Sequence, residues 1–160
     1  MRHVWILALV ACGSDGDPDC VDRKSADATH QHKDGNGSYA GVSCVESQCH
    51  LSTALGVMAP AYHAAGTVFE ADGTTPAAGV TVRFKPLSGD ATEAIAITDD
   101  AGNFFVPHSS PVPFPAIPEV TGCPDLRRMI EGALDPSYGS CAVNGCHSLD
   151  SGRGPITLGD

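Results

Sequence analysis

Two stretches far apart in the chain, SCVESQCHL at residues 43–51 and SCAVNGCHS at residues 140–148, carry one pattern: two cysteines separated by four residues, with a histidine directly behind the second. The likeness extends upstream, where Ser38-Tyr39 precedes the first copy and Ser137-Tyr138 the second. With 7 cysteines and 7 histidines in 160 residues, chance would supply roughly 0.01 such matches in the whole chain. The repetition is therefore an internal duplication.

The N-terminus reads MRHVWILALVACGSDGDPDC. An arginine is followed by an apolar run at residues 4–10, too short to span a bilayer but sufficient for the hydrophobic part of an export signal. Leu9-Val10-Ala11-Cys12 resembles the lipobox of bacterial lipoproteins, in which the signal is cut before a cysteine that takes lipid. That resemblance implies a signal peptide at 1–11, lipidation of Cys12, and a chain anchored to the bacterial membrane on the periplasmic or cell-surface side. A buried hydrophobic strand is the alternative for the run. Residues 12–37 are small, polar and acidic, which predicts a flexible tether. Outside Cys12 and the four motif cysteines, Cys20 and Cys123 remain, and an even remainder in an oxidising compartment points to a disulfide.

Residues 66–107 differ from their flanks. Short runs rich in β-branched and aromatic residues alternate with Gly, Asp and Pro turns, which predicts strands over 66–71, 79–86, 94–98 and 103–107. The same residues resemble the carboxypeptidase regulatory-like (transthyretin-like) family through Gly66-Thr67-Val68, Asp72-Gly73, Pro76, Ala78-Gly79-Val80, Thr98-Asp99 and Gly102-Asn103-Phe104. The resemblance implies a β-sandwich serving as a structural or recognition module, with no catalytic residues to carry over. The expected fold class is thus mainly β: a small antiparallel sandwich flanked by loop-rich, short-helical segments at 38–65 and 108–160. The stretch HSSPVPFPAIPEVTG reads as proline-broken rather than as strand. Leu126, Ile130 and Leu134, at steps of four behind Pro124, predict a helix over 124–134.

Adjacency of cysteine and histidine gives the duplicated motif its chemistry. A c-type haem is held by thioethers from two cysteines while the next residue, a histidine, ligates the iron. Four intervening residues instead of the usual two resemble the longer attachment motif of some multihaem cytochromes. On that resemblance Cys44 and Cys49 hold one haem c with His50 as ligand, and Cys141 and Cys146 hold a second with His147. Two alternatives stand beside haem: each pair is a disulfide with an incidental histidine, or the four thiolates bind zinc. A sixth ligand for each iron would come from His30, His32, His63 or His108. His63 and His108 are favoured because they flank the β-module at its entrance and exit, and Met58 and Met129 rank below them.

The whole chain then resembles a small dihaem c-type cytochrome with a carboxypeptidase regulatory-like module between its haem segments. Outer-sphere electron transfer is the expected function, without a catalytic residue of the protein's own, since no Ser-His-Asp or paired-carboxylate arrangement supports hydrolysis. The formal net charge is −10, from 19 acidic and 9 basic residues. That balance argues against nucleic acid and favours a basic redox partner protein. The rival from another class is a haem-free, disulfide-stapled surface lipoprotein whose sandwich binds protein or carbohydrate.

Overall fold

The computed structural model describes residues 19–26, 50, 60–88, 91–129, 133–134, 141, 147 and 153–159. Turn chemistry divides these residues into strands. Gly73, Gly79 and Gly102 adopt φ of 70°, 71° and 74°, the left-handed region that side chains disfavour. Around those turns lie β1 (Tyr62–Phe69), β2 (Thr81–Pro86), β3 (Ala94–Ile97) and β4 (Asn103–Pro107), close to the four strands that the alternation predicts. Asp99 shapes one turn: its Oδ1 accepts hydrogen bonds from the amides of Ala101 and Asn103, each at 2.9 Å. Asp72 shapes another, and hydrogen bonds from the Thr75 hydroxyl and the Thr75 and Thr74 amides lower its pKa to about 2.

Among the described residues three further strands follow: β5 (Ala116–Gly122), β6 (Asp125–Arg128) and β7 (Ile156–Thr157). They form two sheets, one in the order β4-β1-β7 and the other β3-β2-β5-β6. All pairings are antiparallel except β1 with β7. The described residues are mainly strand and contain no helix, so the molecule is a small β-sandwich. Alternation sorts each strand into two faces. Val82, Phe84 and Val120 of one sheet meet Ala64, Val68, Phe104 and Val106 of the other in a single buried cluster. Phe84 and Phe104 centre it, with ring centroids 6.2 Å apart.

The structure corrects the expected helix at 124–134. Residues 125–128 are β6, paired with β5 through Thr121↔Leu126 and Glu119↔Arg128. The Met129 amide donates to the Pro118 carbonyl, and Leu134 bridges to Ala116. Met129 is thus tied to β5 by its backbone. The proline-rich stretch, expected to be broken, supplies β5. Pro118 is accommodated there because its carbonyl carries the pairing to Met129 and its missing N–H is not needed for that bond. Cys20 and Cys123 are disulfide-bonded, with Cα atoms 5.5 Å apart.

Candidate functional site

Cys12, His30, His32, Cys44, Cys49, Met58 and Cys146 lie outside the described residues, as does the predicted signal at 1–11. His50, His63, His108, Cys141 and His147 lie within them, and β1 is the element to which most of these relate.

At the start of β1 the register slips: Tyr62 pairs with Pro107 and Ala64 with Val106, leaving His63 as the extra residue of a bulge. A bulge re-aims the side chain at the inserted position. Here His63 stacks on His108, which follows β4, with ring centroids 4.1 Å apart and planes 21° from parallel. Phe114 meets His63 edge-on at 6.4 Å. Burial, and secondarily the neighbouring His108, hold His63 below the usual histidine range, so its neutral, ligating form is favoured. The entrance and exit histidines of the module are therefore a pair.

Tyr62 serves the first copy of the motif. Its amide donates to the His50 carbonyl at 3.0 Å, its ring stacks on the His50 imidazole at 4.4 Å, and Phe105 stacks on its other side at 4.7 Å. The Nδ1 of His50 lies 2.7 Å from the Pro60 carbonyl. A carbonyl oxygen only accepts, so Nδ1 carries the proton and the ring lone pair belongs to Nε2. His147 repeats the arrangement in the second copy, with Nδ1 at 3.3 Å from the Gly154 carbonyl. Main-chain orientation of Nδ1 is the usual outer support of a metal-ligating histidine. The donor set of the two imidazoles thus fits iron ligation through Nε2.

Cys141 behaves differently. Its amide donates to the Ala65 carbonyl of β1 at 3.3 Å, and the residue is 8% exposed within the core cluster. Gly66 lies beside it: a Cβ there would clash with the Phe104 ring at 2.9 Å and would lie 3.4 Å from the Cys141 Cβ.

Sequence reasoning missed a charged cluster on the outer face of the four-stranded sheet. Glu119 is fully buried and receives Arg128 at 2.6 Å, Lys85 at 3.1 Å and Arg83 at 3.3 Å. Arg83 also pairs with Glu93 at 3.0 Å, and Asp19 lies 3.3 Å from both Lys85 and Arg128. Alternation of Arg83 and Lys85 along β2 was the available signal, since both must share the face opposite Phe84. Among the described residues, no group of three or more His, Cys, Asp or Glu side chains is arranged to hold a metal ion. Comparison with protein-family models, curated proteins and solved structures finds no match to this chain.

Proposed function

We propose that the chain is a lipid-anchored dihaem c-type cytochrome that transfers electrons, exported to the periplasm or cell surface. Cys44 and Cys49 with His50 would hold one haem, and Cys141 and Cys146 with His147 the other. The observation that carries this reading is the match between sequence and geometry at the duplicated motif. Both copies end on a histidine whose Nδ1 meets a main-chain carbonyl, Pro60 in one and Gly154 in the other.

Bound haem supplies a one-electron couple, and the protein sets its potential and access through ligation and burial. The chain's own residues orient the ligands. Pro60 and Gly154 fix the protonated nitrogen of each proximal imidazole, and Tyr62 and Phe105 hold the plane of the His50 ring. His63 and His108 are the candidate distal ligands, with His63 kept neutral by its surroundings. A surface of net charge −10 favours a basic redox partner, and the association would weaken with added salt.

A second reading has its own support. Cys141 is packed against Gly66 and Phe104, as a structural thiol would be, and Cys20–Cys123 is already a disulfide. Both features favour a haem-free, disulfide-stapled surface lipoprotein whose sandwich binds protein or carbohydrate. An alkaline pyridine haemochrome assay separates the two on protein made in a host with a cytochrome c maturation system. Two covalent haems per chain, reduced to one when Cys141, Cys146 and His147 are replaced together, are expected. Absence of covalent haem, with the motif thiols blocked, would establish the second reading.

A further inference from the structure

The stretch expected to act as a tether is in part docked on the module. Residues 19–26 cross the outer face of the four-stranded sheet, held by backbone, side-chain and covalent contacts. The Lys24 amide donates to the Gly79 carbonyl at 2.8 Å, and the Cys123 amide donates to the Val21 carbonyl at 3.1 Å. The Val21 amide donates to the Thr121 hydroxyl at 2.9 Å. Arg23 forms a two-pronged pair with Glu70 at 2.6 and 2.8 Å, and Cys20 is bonded to Cys123. Gly79 is shaped for this docking, because a side chain there would collide with the Lys24 carbonyl.

The order of these contacts gives a direction. Lys24 sits at Gly79, before β2, while Asp19 sits at Lys85, near the far end of that strand. The segment therefore runs antiparallel to β2, with Asp19, its first described residue, at the Lys85–Arg128 position.

We propose that residues 19–26 are a clamp that shortens the leash between the lipid anchor and the module, holding the sandwich close to the membrane. The proposal rests on the lipid-anchor reading of Cys12. Asp19 follows Cys12 by seven positions, a span that at full extension reaches about 25 Å. A free tether over the whole of 12–37 would reach about 90 Å. For a flexible leash, that shortening raises the effective concentration of the module against a membrane-bound partner about sevenfold, by the −3/2 power of length. The disulfide keeps Cys20 joined to Cys123 in an oxidising compartment even where the ion pairs of the segment are weakened.

The test uses the lipidated full-length chain on a supported phosphatidylcholine bilayer, with neutron reflectometry for the gap between bilayer and protein layer. Hydrogen exchange in solution reads the Val21, Lys24 and Cys123 amides. In the wild type these amides should be protected and the protein layer should begin within about 25 Å of the bilayer surface. In a Cys20→Ser/Arg23→Gln variant the Val21 and Lys24 amides should exchange faster and the layer should move outward. Equal gaps in the two proteins, or unprotected amides in a wild type that binds the bilayer, would overturn the clamp. Failure of the wild type to bind the bilayer would overturn the proposal through the anchor, and protected amides in that case would locate the fault there and not in the docking.

Discussion

Glu119 carries its charge into a place water does not reach, and three cations converge on it because nothing else there can solvate a carboxylate. Removing the anion would leave Arg83, Lys85 and Arg128 facing one another across a gap. Glu119→Ala should therefore cost about 3 kcal/mol of unfolding free energy, measured by urea titration, and Glu119→Gln should cost less because it keeps shape and acceptor. Gly66 presents the opposite problem, a position with no space. A methyl group there would press on the Phe104 ring, and overpacking of this kind costs about 1–3 kcal/mol. Haem yield of Cys141→Ser, measured beside its stability, would report on Cys141 itself: a loss confined to one of two haems is expected if Cys141 is an attachment site.

At the scale of elements, what could be read from the chain was whatever is local. The strands of 66–107 are legible because alternation and Gly, Asp and Pro turns lie within a few residues of each other. The hairpin of β5 and β6 was not. Leu126, Ile130 and Leu134 fall on one helical face, yet Leu126 is spent on pairing with Thr121 and Leu134 on bridging Ala116, contacts that spacing alone cannot announce. Docking of 19–26 was hidden for the same reason, since its partners are Gly79, Thr121 and Cys123. This docked segment should respond to acid. Hydrogen bonding to Lys85 lowers the Asp19 pKa, and hydrogen bonding to Arg23 lowers that of Glu70. With folded values depressed, the native state binds fewer protons than the unfolded chain. The stabilisation is complete above the ordinary carboxylate range and is lost as pH falls through it toward the folded values. Hydrogen exchange at Lys24 should accelerate, relative to its intrinsic rate, between about pH 5 and pH 3. Arg23→Gln should flatten that dependence.

Across the whole molecule, the candidate site divides along the same line. Its cysteines and histidines were legible because the motif is contiguous and occurs twice. Their supports, Pro60 and Tyr62 for His50, Gly154 for His147 and Ala65 for Cys141, belong to the fold and carry no signature of their own. The stacking of His63 on His108 depends on a bulge in β1 that no composition predicts. One covalent link spans most of this architecture: Cys20–Cys123 closes a sequence separation of 103 residues, with β1 to β5 inside the loop. A loop of that length gains about 4–5 kcal/mol from restriction of the unfolded chain in the entropic account, and removal of native disulfides typically costs about 2–5 kcal/mol. The sandwich core itself, built around Phe84, Phe104 and the valines of β1, β2, β4 and β5, does not pass through the bond. Cys20→Ser/Cys123→Ser should accordingly lower the urea midpoint by an amount equivalent to about 2–5 kcal/mol while leaving the far-ultraviolet β signal intact at low temperature. Loss of that signal in the variant would mean that the core cannot stand without the staple, and that the small sandwich needs oxidising conditions for its fold.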